Sequence, residues 1–252
     1  MTKITFLGTG TSTGVPELGC DCSICTSPNP RDKRLRTSVL INHDGKTILI
    51  DCGPDFRQQM IRCQTNHLDA VLITHEHYDH VAGLDDLRPF CKQGKLPIYA
   101  ESSVSEKLHQ RMPYCFREVN YPGVPNLELI KIENQPFYIG NTEIIPIRVL
   151  HGRLPILGYR IGKMAFLTDL TEIPVEEYEK LKNLDVLIMA ALRKRKHISH
   201  QTLDEAISQI DCIQPKKAYL IHASHHLGLH NDIMRELPES IMLSYDGLEI
   251  EI

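Results

Sequence analysis

No stretch of this 252-residue sequence approaches the roughly 18 consecutive apolar residues that a bilayer-spanning helix requires. The opening Met1-Thr2-Lys3-Ile4-Thr5-Phe6 runs straight into a strand-like pattern and lacks the long apolar core of a secretory leader. A basic excess is missing as well. The 28 lysines and arginines stand against 32 acidic residues, a formal net charge of -4, so bulk charge gives nucleic-acid binding no support. No low-complexity linker and no short-period repeat divides the chain. Hydrophobic residues at 42% and charged residues at 24% argue against disorder. The expectation is a soluble, cytoplasmic protein without a membrane segment, folded as a single domain over residues 1–252.

A disulfide framework is also absent from the pattern. The cysteines number 8, but that logic belongs to short secreted chains. Three crowd into Cys20-Asp21-Cys22-Ser23-Ile24-Cys25, while Cys52, Cys63, Cys91, Cys115 and Cys212 are scattered like small buried apolar residues. The spacing Cys-x-Cys-x-x-Cys offers three thiolates to one tetrahedral zinc, with a fourth ligand to come from elsewhere.

What the sequence does contain is a series of short apolar runs that read as buried strands. They are Ile4 to Leu7, Ser38 to Ile41, Thr47 to Ile50, Ala70 to Ile73, Ile98 to Ala100, Ile144 to Leu150, Ala165 to Leu167, Val186 to Ala190, Ala218 to Ile221 and Leu248 to Ile252. Helical patterns lie between some of them. The clearest starts at Thr202, where Thr202 and Glu205 form a capping box and Leu203, Ala206, Ile207 and Ile210 share one face. A second helix is predicted over Val175 to Leu181. Strands first, then mixed strands and helices, with similar material in both halves, predict an α/β protein with helices outside its sheets.

The chemistry concentrates in His75-Glu76-His77-Tyr78-Asp79-His80, directly after the strand Ala70 to Ile73. Alternation places His75 and His77 on one face, within reach of one metal. Asp79 and His80 come off the following turn and can serve a second. Imidazole with carboxylate suits zinc, manganese or iron. His151, Asp169 and His222 each follow an apolar strand, where a polar side chain is costly unless satisfied. Together with the first motif they form a candidate ligand set.

These residues resemble the metallo-β-lactamase superfamily, with its H-x-H-x-D-H motif and later His, Asp and His ligands. The segments Leu7 to Pro16 and Ile50 to Asp55 are similar to its phosphodiesterase branch, in which Asp51 would buttress the site. Gly19 to Cys25 resembles the phosphodiesterases of the carbon–phosphorus lyase pathway, which open a cyclic ribose phosphate. The resemblance runs from Ile4 to Tyr245-Asp246-Gly247. It implies a four-layer αβ/βα sandwich with two divalent ions, zinc or manganese, at one edge of the sheets. His75, His77 and His151 would hold one ion, Asp79, His80 and His222 the other, and Asp169 would bridge them. A hydroxide between the ions would attack phosphorus. The resemblance also gives the cysteine cluster its fourth ligand, His225, three residues after His222, with His226 as the alternative.

His200, just before the capped helix, is the candidate general acid for the leaving group, with His197 its competitor. The run Arg193-Lys194-Arg195-Lys196 is either a solvated surface or a means of attracting an anionic substrate. The expected substrate is a small, perhaps cyclic, phosphodiester. Alternatives are a transfer-RNA 3′-processing endonuclease, a thioester or lactam hydrolase on the same fold, and a non-catalytic zinc-bearing interaction module. The acidic net charge weighs against RNA, and an intact ligand set weighs against the last. A homodimer is allowed by the resemblance alone.

Overall fold

The computed structural model describes residues 1–92, 94–117 and 123–252. Its strands, in chain order, are β1 (Thr2–Gly8), β2 (Ser38–His43), β3 (Lys46–Ile50), β4 (Ala70–Leu72), β5 (Leu96–Glu101), β6 (Leu127–Ile132), β7 (Phe137–Ile139), β8 (Thr142–His151), β9 (Leu154–Ile161), β10 (Met164–Leu167), β11 (Val186–Ala190), β12 (Lys217–Ile221), β13 (Ile241–Leu243) and β14 (Glu249–Glu251). The α-helices are α1 (Phe56–Cys63), α2 (Tyr78–Val81), α3 (Ser102–Arg111), α4 (Leu203–Ile213) and α5 (His230–Glu236). Two sheets result, in the orders β14-β1-β2-β3-β4-β5-β6 and β13-β12-β11-β10-β9-β8-β7. Each combines antiparallel pairs with a parallel run, β3 to β6 in one and β10 to β13 in the other.

Three apolar layers explain why the strands read as continuous hydrophobic runs. One face of each sheet meets the other sheet: Ile4, Phe6, Ile48, Ile50 and Leu72 pack against Tyr159, Phe166, Ile188 and Ile221. The alternate residues point outward. Leu49, Val71 and Ile98 bury Phe56 and Met60 of α1 and Val104 and Leu108 of α3. On the far side, Leu167, Leu187, Met189 and Leu220 bury Leu203, Ala206 and Ile210 of α4 and Ile233 of α5. Strands covered on both faces have no solvent side on which to place polar residues. This is the αβ/βα sandwich that the resemblance implied.

Local signals account for the elements around the site. The capping box of α4 is formed as predicted: Thr202 Oγ1 accepts from the Glu205 amide, and Glu205 Oε2 accepts from the Thr202 amide. The segment Val175–Leu181 is helical but of 3-10 type. Its buried Glu177 accepts from the Arg148 backbone amide of β8 and from the Asn134 side-chain amide, while Leu181 and Tyr178 join the outer apolar layer. His151 is the last residue of β8 and does not lie beyond it. Among the described residues no helix is long and apolar enough to cross a membrane.

Candidate metal centre

The ends of β3, β4, β8, β10 and β12 converge at one edge of the sandwich, and each is followed or closed by a polar residue of the predicted set. β3 leads into Asp51, β4 into the segment His75 to His80, β8 ends on His151, β10 leads to Asp169 and β12 to His222. Asp51, Asp169 and His222 have left-handed backbones, with φ of 61°, 52° and 57°. That region costs a residue with a Cβ about 1–3 kcal/mol and persists only where the surroundings enforce it. Two glycines allow the close approach that α2 needs. A Cβ on Gly53 would stand 2.1 Å from the Asp79 carbonyl oxygen, and one on Gly83 would stand 2.1 Å from the Gly53 carbonyl oxygen. Any side chain there would push the loop after β3 away from the turn that carries Asp79 and His80.

The ligand-type atoms fall into two groups that share Asp169. In each group, His75, His77, His151 and Asp169 in one and Asp79, His80, Asp169 and His222 in the other, all ligand atoms lie within 4.8 Å of one another. Asp169 Oδ2 is 3.6 Å from His75 Nε2 and 3.3 Å from His80 Nε2, and its Oδ1 is 3.0 Å from His222 Nε2. Asp79 Oδ2 lies 3.2 Å from His80 Nε2 and 3.6 Å from His222 Nε2. Despite these approaches, His80 Nε2 and His222 Nε2 are buried without an aligned hydrogen bond. Buried nitrogens that converge on carboxylate oxygens without bonding to them fit a shared cation.

The electrostatics make the same demand. Burial opposes a proton on His80, yet Asp79, Asp169 and Asp51 lift its imidazole well above the usual range. Burial likewise opposes charge on His222, but Asp169 raises it to about 9. Burial and the neighbouring His80 push His75 well down. Burial would raise the Asp169 carboxyl, but His222 and His80 hold it well below the usual range. The buried carboxylates Asp79 and Asp169 favour positive charge at His80 and His222, charge that a divalent cation would supply in place of protons.

Surrounding groups fix the imidazoles. Asp51 is fully buried and accepts from His80 Nδ1 at 2.7 Å, so the opposite nitrogen faces the cluster. The same carboxylate accepts from the Thr74 amide and hydroxyl. His151 Nδ1 donates to the Ser199 carbonyl at 2.6 Å. These are the outer contacts that set tautomer and ring orientation at metal sites. Glu76 is clamped from α3, its carboxylate by Lys107 and its carbonyl by Arg111. The Ser199 carbonyl and the Lys107–Arg111 clamp escaped the sequence reading, because a backbone acceptor and a contact across 31 residues leave no local signal.

His200 and His197 are separated clearly. The His200 ring lies 4.6 Å from the His151 ring and stacks 5.1 Å from His222, with Nδ1 buried and unpartnered. Burial and the proximity of His222 push it down to about 3. His197 is one ring further out, 5.1 Å from His200, and its Nδ1 meets Ser199. Elsewhere, the cavity of about 590 Å³ against Asn66, Asp69, Lys95 and Pro97 lies at the opposite ends of β4 and β5, away from this centre.

The cysteine cluster forms a separate centre. His225 Nδ1 lies 3.3 Å from Cys20 Sγ and 3.4 Å from both Cys22 Sγ and Cys25 Sγ. A tetrahedral zinc with ordinary bond lengths sets that edge at about 3.6 Å. His225 Nε2 faces Glu17 at 3.3 Å. The His226 ring lies 4.0 Å from the His225 ring, tilted by 44°, and is not among the four converging groups. Hydrogen bonds from the Cys25 amide and from His225 lower the Cys22 thiol to about 6, the direction a zinc-binding thiolate needs. The loop that bears the cysteines is tied to the catalytic edge, because Thr11 N–H donates to the Ala223 carbonyl and Ala223 N–H to the Thr9 carbonyl.

A model of the β-lactamase superfamily domain matches residues 46–223. This chain belongs to the metallo-β-lactamase superfamily. Among solved structures of the superfamily, a diphosphatase of the PhnP family is 39% identical and superposes with a TM-score of 0.93, covering 99% of this chain and 96% of that one. The likeness to the phosphodiesterases of the carbon–phosphorus lyase pathway, read from Gly19 to Cys25, agrees with this neighbour. A protein of Porphyromonas gingivalis named octanoyltransferase is 52% identical over 247 residues, which is 97% of this chain and 50% of that protein. The chain therefore spans half the length of that relative. Ribonuclease Z of Methanococcus maripaludis is 25% identical over 227 residues, covering 87% of this chain and 66% of that protein.

Proposed function

We propose that this chain is a metal-dependent phosphodiesterase acting on a small phosphodiester. The observation that carries the reading is the pair of ligand groups sharing Asp169, with the His200 ring set against His151 and His222. His75, His77, His151 and Asp169 would hold one divalent ion, and Asp79, His80, His222 and Asp169 the other. When bound, two such ions supply Lewis-acid activation of water and neutralise charge developing on phosphorus. The remaining tasks fall to the protein. Asp51 and the Ser199 carbonyl hold His80 and His151 with the correct nitrogen inward. Asp79 belongs to the reacting centre through its approach to both His80 and His222. Burial and the neighbouring His222 disfavour charge on His200, and the negative charge of a bound diester favours its protonation beside the leaving alkoxide. It then delivers that proton as general acid. Cys20, Cys22, Cys25 and His225 would hold a structural zinc that pins the N-terminal loop to the catalytic edge.

The 39% identical diphosphatase supports phosphorus chemistry. A second reading, chemistry on an octanoyl thioester, is suggested only by the name octanoyltransferase of the 52% identical relative, of which this chain covers half. A panel of bis(p-nitrophenyl) phosphate, an octanoyl thioester and a transfer-RNA precursor, run on metal-loaded protein, separates these readings. Turnover of the diester is expected. His200→Ala should slow an alkyl leaving group about 10²-fold or more while costing far less with nitrophenol, which leaves without a proton. Equal losses on both would remove His200 as the acid, and cleavage of the thioester alone would replace the reading.

A further inference from the structure

We propose that Arg34 is a positioning residue for the second catalytic ion: it fixes the backbone that carries His222, whose ring has no outer hydrogen bond to orient it. The inference rests on the metal-centre reading above and concerns a residue outside every ligand group.

The buried ligand imidazoles are not all held in the same way. His75 Nδ1 meets the Thr74 hydroxyl at 2.9 Å, His80 Nδ1 donates to Asp51, and His151 Nδ1 donates to the Ser199 carbonyl. His222 is buried as well, yet its Nδ1 has no hydrogen-bond partner among the described residues. An imidazole without that contact takes its direction from its own backbone. The backbone of His222 has a φ of 57°, a conformation that its surroundings must enforce.

The enforcement comes through the next residue. Ala223 N–H donates to the Thr9 carbonyl at 3.0 Å, and the Ala223 carbonyl accepts from the Thr11 amide at 3.2 Å. Ser224 ties the other side of the segment to the Leu192 carbonyl. Thr9 and Thr11 belong to the loop after β1, and Arg34 anchors that loop at Thr9. Its Nη1 donates to the Thr9 hydroxyl at 2.8 Å and to the Ser244 carbonyl at 2.7 Å, and its Nη2 donates to His230 Nδ1 at 3.3 Å. A guanidinium only donates, so the Thr9 hydroxyl must give its own proton elsewhere. It gives it to Asp246 Oδ1 at 2.8 Å, while Asp246 Oδ2 accepts from the Leu35 amide. One buried side chain thus binds the loop after β1, the tail after β13 and the start of α5.

Charge makes the anchor specific. Arg34 is 6% exposed, and burial lowers its guanidinium to about 10, so it stays charged at neutral pH. Asp246 and Asp32 oppose the cost of burial. Asp246 reaches the cation through the Thr9 hydroxyl. Asp32 reaches it through His230, whose amide donates to Asp32 Oδ1 at 2.7 Å. A buried charge that loses a partner is strongly penalised, so these groups hold one arrangement. A neutral side chain at this position would free the Thr9 hydroxyl and the Ser244 carbonyl, and would loosen the pairing of Thr9 and Thr11 with Ala223.

The test follows the histidine ring nitrogens by NMR while zinc is titrated into chelator-stripped protein. The rings of His75, His77 and His151 report one ion, and those of His80 and His222 the other. In Arg34→Met the second ion should bind about tenfold more weakly and the first should change little, the scale of a lost outer contact. Arg34→Lys should recover part of the loss, because an ammonium still donates to Thr9 and Ser244. Thr9→Val keeps the shape and the cation but cuts the link between them, and should repeat the selective loss even if Arg34→Met does not fold. Ile139→Ala, a core truncation in the edge strand β7, should lower the melting temperature and leave both affinities alone. Equal weakening of both ions, or unchanged affinities in the folded variants, would overturn the proposal. If zinc moves none of these rings in the parent, the metal-centre reading fails, and hydrogen exchange at the Ala223 amide then decides the positioning claim. Exchange about tenfold faster in Arg34→Met or Thr9→Val sustains it, and an unchanged rate overturns it.

Discussion

Replacing Asp51 with asparagine tests how the second ion would be held. Asp51 Oδ2 accepts from His80 Nδ1 at 2.7 Å, while Oδ1 accepts from the Thr74 amide at 2.8 Å. An asparagine of the same shape can keep only one of these. With its oxygen toward Thr74, its NH₂ faces His80 Nδ1, which must then give up its proton and become an acceptor. The proton moves to Nε2, the atom aimed at Asp79 and Asp169, and a protonated Nε2 cannot bind a metal. With the amide turned over, its NH₂ meets the buried Thr74 amide instead, leaving a donor unpaired at about 1–3 kcal/mol. Either way, loss of the outer contact should weaken the ion on the His80 side by about 10–100-fold, or roughly 1.4–2.8 kcal/mol. The ion held by His75, His77 and His151 should weaken less, and the cysteine site should not change. Chelator competition with a metal-sensitive dye reads all three, and circular dichroism checks the fold. A folded Asp51→Asn variant that binds both catalytic ions as tightly as the parent would refute the reasoning. Turnover at limiting metal should fall in step and recover with excess metal.

Other expectations follow from separate parts of the molecule. Cys22→Ser should lower zinc content by one ion per chain and depress the melting temperature, as read by metal analysis and thermal unfolding. Unchanged zinc would remove the structural site. Asp69 ties β3 to β4 by accepting from the Thr47 amide and from Lys46. Burial raises its carboxyl, but the bonds from Lys46 and the Thr47 amide, with the charges of Lys46 and His67, together leave it below the usual range. A depressed carboxylate stabilises the fold above its unfolded pKa, and the contribution disappears as pH falls through the folded value. Asp69→Asn should therefore cost about 1.5 kcal/mol at pH 7 in urea unfolding, with the gap to the parent closing as pH approaches 3. A gap that is constant with pH would contradict the assignment.

Much of the candidate site was legible because Asp51, His75, His151, Asp169 and His222 stand at or just beyond the end of a short apolar run. The runs before Asp51, His75, Asp169 and His222 are buried on both faces, so a polar residue at their ends stands out. The same property hid other elements. β9 carries Pro155 and Gly158, which break the strand signal, although it pairs along its whole length with β8. α3 buries only Val104, Ser105 and Leu108, too narrow a stripe to read as a helix beside its polar residues. α2 is a single turn, set by the close packing of Gly53 and Gly83 and not by its own sequence. The preference for His200 over His197 came from its place before the capped helix, and that for His225 over His226 from the resemblance; the rings of His200 and His225 are the ones turned toward the two clusters. Neighbouring histidines on a loop share composition and spacing, and only the path of the backbone decides which ring turns inward.

The most direct test of the central claim is to strip the protein with chelator and titrate zinc or manganese back while following hydrolysis of bis(p-nitrophenyl) phosphate and metal bound per chain. The account predicts that turnover appears as the two ions at the Asp169-centred site are filled, and that Asp169→Asn fails to reach that stoichiometry or activity. Full occupancy of both positions without diester hydrolysis under either metal would contradict it.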